Sequence, residues 1–431
     1  MKIFVHPAER LSGTVFPPSS KNYTTRYIFV SCLAEGESVV KYPAESDDTS
    51  SLIECCEALG AKIRRQEDGS FLICGFGRRP QNPEVLNPHN AGAVLRFLLG
   101  VASLLPEVKF ITDHPESLGK RPNKDLLDAL AQLGVRFISN EGKLPTTLYG
   151  GDLKGGEITV SGATSSQYLS SLLFLAPLIN KQLKIKVTDN LKSKPLIRIT
   201  LEVLRETGIS VFAKDDLLEF VIPAGQNYKP RIWEVNGDWP GAMAIISAAA
   251  VTNSDVKIPR LFCDEQGERE GIEVLRKMGV EINHSQNIVT VKGSGKLLSG
   301  GEFDGDLFTD AVLPLVGVAC FADGENHFYN VENLRFKECD RITQPLRELR
   351  KIGVRCSETQ SEIRIAGNPD GYEGGIEVEA HNDHRVIMLL TIVGLRCKKG
   401  LIINNAHHIS KSFPHFFETL AQLGARFKEI K

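Results

Sequence analysis

The stretch LRFKECDRI, residues 334–342, sets five charged side chains (Arg335, Lys337, Glu338, Asp340, Arg341) into seven positions, just ahead of the amphipathic segment TQPLRELRKIG. A solvated loop with local ion pairs is the ordinary reading of such a run. The same residue types, however, recur at places that read as helix starts. PSSKNYTTR puts Lys21 near one start and Arg26 about a turn further in, and NPHNAGAVLR puts Gly92, where backbone can approach a ligand closely, at another. LGKRPNK supplies Lys120, Arg121 and Lys124; SGATSSQYL supplies Ser165, Ser166 and Gln167; LKSKPLIR supplies Ser193. FDGDLFTDAVLPL places Asp310 before an apolar helix, HNDHRVIMLL supplies Asp383, His384 and Arg385, and HHISKSF supplies Lys411. Taken singly, each has a plain alternative. Helix capping accounts for Ser and Asp at such positions, and a hydrogen-bonded structural role suits His384 better than metal ligation, since no second histidine stands at ligand spacing on that helix. Taken together, cations at 21, 26, 121, 337, 341, 385 and 411 stand near helix starts, where backbone N–H groups and the helix dipole favour anions. Such a site suits a small, highly anionic ligand bearing carboxylate and phosphate groups. Carboxylates such as Asp310 and Glu338 in that field could serve as base and acid. No Walker loop, metal motif or Rossmann glycine pattern competes.

The elements that must position these residues form a repeat. LIECCEALGAKI, LLDALAQLGVRF, TLEVLRETGISV, GIEVLRKMGVEI, LRELRKIGVRC and FFETLAQLGARF each read as a short amphipathic helix closed by a glycine. Those glycines, Gly60, Gly134, Gly208, Gly279, Gly353 and Gly424, stand 71 to 74 residues apart and are expected as left-handed helix stops. A β-like stretch follows each, as in VRFISN. The period suits a βαβαββ module repeated six times, as one ring or as two bodies of three. The segment IWEVNGDWPG, between the third and fourth copies, is the expected crossover.

Composition narrows the class. At 431 residues with 42% hydrophobic and 24% charged, the chain has the make-up of a soluble globular protein of two or three domains. A net charge of -2 gives no reason to expect a nucleic-acid partner. No apolar run approaches the roughly 18 residues of a membrane span, and MKIFVHPAERLSG has no secretory signal core. Nine scattered cysteines without a CxxC pair point to a reducing cytoplasm.

In chain order, SKNYTTR, NAGAVLR, KRP, SSQYL, TDA, KECDR, DHR and SKSFP resemble the motifs of the 5-enolpyruvylshikimate-3-phosphate synthase family, the 3-phosphoshikimate 1-carboxyvinyltransferases, from about Pro18 to Phe417. The resemblance implies an α/β (α+β) fold of two lobes, each of three βαβαββ repeats, an inside-out α/β barrel arrangement. It places residues 20–235 in the first lobe, 1–19 and 236–431 in the second, and the active site in the cleft between them. The implied reaction joins phosphoenolpyruvate and shikimate 3-phosphate. The 5-hydroxyl adds to C2 while C3 is protonated, and the adduct eliminates phosphate. No metal or organic cofactor is implied; the partners are the two small anionic substrates, the location cytoplasmic and the state monomeric. Asp310 is implied as acceptor of the hydroxyl proton and Glu338 for proton traffic at C3, with Lys21 also in the catalytic set. Arg341 and Arg385 are implied for the phosphoenolpyruvate carboxylate, and Lys21, Arg121, Gln167, Lys411 and the Gly92 backbone for its phosphate. For shikimate 3-phosphate the implied set is Ser165, Ser166, Gln167 and Ser193 at the phosphate, Arg26 at the carboxylate with Lys21 and Asn22 beside it, and Asp310, Asn333 and Lys337 at the hydroxyl side.

The chain also departs from the family pattern. Asn22 stands for a serine, Ala93 for a threonine, Phe97 for a proline and Leu196 for a tyrosine, and GDWPGAMAI lacks a serine pair. These bear on acceptor choice more than on the phosphoenolpyruvate half. A transferase with another acceptor is one alternative. The UDP-N-acetylglucosamine enolpyruvyl transferase is a second, weakened because ESLGKRPNKD lacks its loop cysteine. A non-catalytic binding protein would be expected to lose Asp310, Glu338 or Lys411, and all three are present.

Overall fold

The computed structural model describes residues 1–298 and 300–430. The chain divides into two compact units, Ser19–Val235 (the first unit) and Met1–Pro18 with Asn236–Lys431 (the second). Three helices are buried on nearly all sides in the first, Lys21–Leu33, Gly92–Ala102 and Ser166–Ile179, and three in the second, Trp239–Ala250, Val312–Ala319 and His384–Arg396. Their sequences explain this: VLPLVGVA or GAVLRFLLGVA has no polar face to give to water, so burial on every side is the favourable outcome. In the first unit each buried helix contributes one phenylalanine to a central triad. Phe29, Phe97 and Phe174 have ring centroids 5.0 to 5.6 Å apart, at the offset and edge-on spacings that aromatic rings favour. Phe97, one of the departures noted above, is therefore core. Small residues set the helix spacing: a Cβ added at Gly100 would lie 2.5 Å from the Ser171 hydroxyl.

Six four-stranded sheets surround these helices, three to a unit, among the described residues. Each has the same plan, a parallel pair followed by two antiparallel neighbours. In one, Gly156–Val160 runs parallel to Leu183–Val187, which pairs antiparallel with Glu219–Ile222, and that strand pairs with Phe212–Ala213. In four of the six a buried helix makes the crossover within the parallel pair, for example Ser166–Ile179 between Gly156–Val160 and Leu183–Val187. The six glycine stops of the amphipathic helices all take positive φ, from 83° to 106°.

Three strands are borrowed. Lys2–Val5 lies between Leu401–Asn404 and Phe427–Ile430 and completes the last sheet. Arg10–Thr14 pairs with Asn253–Pro259 in the second unit, yet leads into the Lys21–Leu33 helix of the first. Ile232–Glu234 pairs with Glu37–Lys41 in the first unit, yet leads into Trp239–Ala250 of the second. The six strand-to-buried-helix turns are thus equivalent places. Lys21, Gly92, Ser165–Gln167, Asp238, Asp310 and Asp383–Arg385 stand at or beside them.

Candidate active site

In the second unit one guanidinium organises the charges. Arg341, 2% exposed, directs Nε to Asp383 Oδ2 at 2.7 Å and Nη2 to Asp383 Oδ1 at 3.2 Å. Nη1 donates to Asp310 Oδ1 at 3.1 Å, and Nη2 also to Glu338 Oε2 at 2.8 Å. Three carboxylates on one buried cation hold its pKa above the usual arginine value, against the burial that would lower it. Three further ion pairs extend the network, and in two of them Lys411 Nζ is 2.9 Å from Glu338 Oε1 and Lys337 Nζ is 3.9 Å from Asp310 Oδ1. Arg385 Nη2 lies 3.9 Å from Asp310 Oδ2. Asn333 donates to Asp306 and Thr309, which shortly precede Asp310, each at 3.3 Å.

Local sequence explains these placements. Asp383 caps His384–Arg396, accepting the Arg385 N–H at 2.8 Å, and so orients its carboxylate toward Arg341. The capping alternative fails for Asp310. It sits in a short 3-10 turn, Thr309–Ala311, and the following helix has no side-chain cap. Its carboxylate goes to the arginine because three cations surround it. At 22% side-chain exposure it is also the most open of the three carboxylates on Arg341. Cys339, inside KECDR, is no nucleophile: burial and the Asp383 charge push its thiol up.

Behind Asp310 lies a residue that sequence reading missed. Glu268, buried, accepts the Asp310 backbone N–H at 3.3 Å. Burial first, and the Asp310 charge second, push its carboxyl up to about 7. The unfolded chain ionises this group from about pH 4.5, so the folded form loses relative stability as pH rises from there to about 7. Glu268→Gln keeps the acceptor oxygen and removes that cost. Its melting temperature is expected to exceed that of the wild type at pH 8 and to match it near pH 4.5, by differential scanning calorimetry.

The first unit groups its residues in three sets. Gly92 lies against two arginines: a Cβ there would be 2.5 Å from Arg121 Nη1 and 3.0 Å from Arg96 Nη1. Arg96 in turn donates to Gln167 Oε1 at 2.7 Å, so Gln167 gives its amide oxygen to that arginine. Ser165 caps the Ser166–Ile179 helix through the Gln167 N–H, and Ser166 is its buried first residue. Arg26 is the second centre. Its three hydrogen bonds go to neutral acceptors, Thr200 Oγ1 at 3.0 Å and the carbonyls of Asn22 at 3.0 Å and Leu196 at 3.2 Å. Burial pushes it down to about 10. A guanidinium has five N–H donors, so part of its capacity stays available to an anion. Ser193 starts the helix Lys194–Glu206 that carries Leu196 and Thr200. The third set is Lys21, 3.1 Å from Asp48. Sequence reading missed Arg96, which lies within NAGAVLR, and Asp48, which lies in none of the quoted motifs; neither contact is visible without the fold. Gly92→Ala is expected to keep the fold and weaken anion binding at these arginines about tenfold or more, since the methyl displaces Arg121; calorimetric titration with inorganic phosphate checks this.

The family described as EPSP synthase (3-phosphoshikimate 1-carboxyvinyltransferase) matches residues 5–420. The chain belongs to that family. A 3-phosphoshikimate 1-carboxyvinyltransferase of Deinococcus radiodurans is 46% identical over 427 residues, covering 99% of this chain and 96% of the relative. One from Methanococcus aeolicus is 34% identical, covering 98% and 99%. The family fold is matched by the EPSP synthase of Acinetobacter baumannii, with TM-score 0.81, 23% identity and coverage of 99% and 100%. It is matched equally by the enolpyruvyl transferase NikO of Streptomyces tendae, at TM-score 0.81, 19% identity and coverage of 99% and 98%. No helix among the described residues is long and apolar enough to cross a membrane.

Proposed function

We propose that this chain transfers the enolpyruvyl group of phosphoenolpyruvate to the 5-hydroxyl of shikimate 3-phosphate, giving 5-enolpyruvylshikimate 3-phosphate and phosphate. The observation that carries the reading is the Arg341 network, in which Asp310, Glu338, Lys337, Arg385 and Lys411 are joined by contacts of 2.8 to 3.9 Å in a chain of this family. In this reading Asp310 takes the proton of the attacking hydroxyl as oxygen bonds to C2. Glu338 and its partner Lys411 manage the proton delivered to C3 and later removed. Arg341 and Arg385 hold the enolpyruvyl carboxylate. Lys21, Arg121, Gln167, Lys411 and the Gly92 backbone hold its phosphate, which leaves with the C2–O electron pair. Ser165, Ser166, Gln167 and Ser193 hold the shikimate phosphate, Arg26 with Asn22 and Lys21 its carboxylate, and Asn333 with Lys337 its hydroxyls. In this reading neither a metal nor an organic cofactor takes part. The enzyme acts as a cytoplasmic monomer.

The departures Asn22 and Leu196 favour one second reading, a transferase of this family with a different acceptor, because the backbone carbonyls of both hold Arg26 and so set the two changed positions beside it. Phosphate release from phosphoenolpyruvate, measured with shikimate 3-phosphate, unphosphorylated shikimate and UDP-N-acetylglucosamine in parallel, separates the two. Release with shikimate 3-phosphate alone supports the main reading. Release with neither phosphorylated acceptor contradicts it.

A further inference from the structure

We propose that His89, as an imidazolium, is a positioning residue for the phosphate end of the phosphoenolpyruvate site, an inference that rests on the reading above. His89 stands three residues before Gly92, in NPHNAG. Its Nδ1 is 2.8 Å from Asp113 Oδ2 and its Nε2 is 3.0 Å from Glu54 Oε2. A carboxylate only accepts, and a neutral imidazole has a single N–H, so both contacts are hydrogen bonds only when the ring carries two protons. One positive charge thereby joins three segments. Glu54 lies on the helix Asp47–Ala58, His89 on the turn into the helix Gly92–Ala102, and Asp113 just past the strand Val108–Phe110, on the way to Arg121.

Backbone contacts make the joint firm. The His89 N–H donates to Asn87 Oδ1 at 2.9 Å, the Thr112 hydroxyl donates to the His89 carbonyl, and the His114 N–H donates to Thr112 Oγ1 at 2.9 Å. His89 itself has φ 48°, a left-handed conformation in which histidine is one of the enriched residues. At the far ends of the two joined segments stand Gly92 and Arg121, packed so closely that a methyl does not fit between them. A small shift of either segment therefore alters the anion cradle.

The other titratable groups around the ring are few. His114 Nε2 lies 3.6 Å from Asp113 Oδ1, and the Cys55 thiol, pushed up by burial, donates to the Asn87 carbonyl at 3.5 Å. The carboxylates of Asp113 and Glu54 raise the His89 pKa. The second unit has a histidine at the same offset, with one carboxylate against its ring. His381, φ 51°, stands three residues before the helix His384–Arg396, with Nε2 3.2 Å from Glu348 Oε1 on the helix Thr343–Ile352.

The sign follows from the raised value. The two-carboxylate joint is complete below the ordinary histidine value of about 6.5 and is lost as pH rises through the higher value of the folded state. Two measurements on the full chain test this. Ring titration of His89 by nitrogen-15 NMR without substrate reads the imidazolium directly. Calorimetric titration of phosphoenolpyruvate from pH 5.5 to 9 reads the cradle. His89→Gln is expected to weaken binding about three- to tenfold at pH 6, with the ratio to wild type falling toward one above the step. A ring that titrates at or below the ordinary histidine value overturns the imidazolium joint. A ring that titrates high, with a variant-to-wild-type ratio of one at every pH, overturns the positioning role. No phosphoenolpyruvate binding by either protein contradicts the functional reading itself, and takes the positioning role with it, whatever the ring titration gives.

Discussion

Asp310→Asn is expected to lower turnover about 10²- to 10⁴-fold while leaving substrate affinity within about tenfold. The substitution keeps volume and an oxygen that can face Arg341 Nη1, and the backbone N–H at this position still reaches Glu268. What is lost is the capacity to take a proton. Steady-state kcat and KM for both substrates check this. An Asp310→Asn enzyme with turnover close to wild type would remove Asp310 as the base and leave Glu338, the other carboxylate with a lysine partner in the same network, as the remaining candidate.

Arg341→Met is expected to destabilise the fold by about 3–5 kcal/mol, because removing one partner of a buried ion pair leaves the other charge uncompensated. The loss falls unequally on its three carboxylates. Glu338 retains Lys411, and Asp310 retains Lys337 and Arg385. Asp383, fully buried, keeps only hydrogen bonds and the His384 ring at 3.9 Å. The double variant Arg341→Met, Asp383→Asn should therefore recover part of the loss, since asparagine also caps a helix. Urea unfolding at pH 7 measures both. A single-variant loss under about 1 kcal/mol, the range of exposed pairs, would show that the network is not the buried unit described above.

Much of the fold was legible because its markers are local. The six glycine stops report a backbone conformation that side chains resist, and all six adopt it. The βαβαββ period followed from their spacing. The borrowed strands Arg10–Thr14 and Ile232–Glu234 were not derivable from the repeat itself. Their partners are distant in sequence, and runs of five and three paired residues leave no local pattern. A second glycine series was available and went unread. Gly75, Gly150, Gly293 and Gly367 follow the stops by 14 to 16 residues. A Cβ at any of them would meet a carbonyl near the C-terminal end of a buried helix at 1.8 to 2.2 Å. Within the site, the motifs supplied the charged residues but not their pairing. Asp310 was legible as a carboxylate before a helix, and only the tertiary arrangement shows that it turns to Arg341 instead of capping. Arg96, Asp48 and Glu268 matter through contacts across the fold, for which one sequence holds no sign.

The most direct test of the central claim is phosphorus-31 NMR of the purified chain with phosphoenolpyruvate and shikimate 3-phosphate. The enol phosphate resonance should fall as inorganic phosphate rises in equal amount. The shikimate phosphomonoester should shift to a new position without losing its phosphate, and the product mass should equal the two substrates less phosphoric acid. Unchanged spectra after long incubation, or phosphate released while the shikimate 3-phosphate resonance stays unaltered, would contradict the assignment.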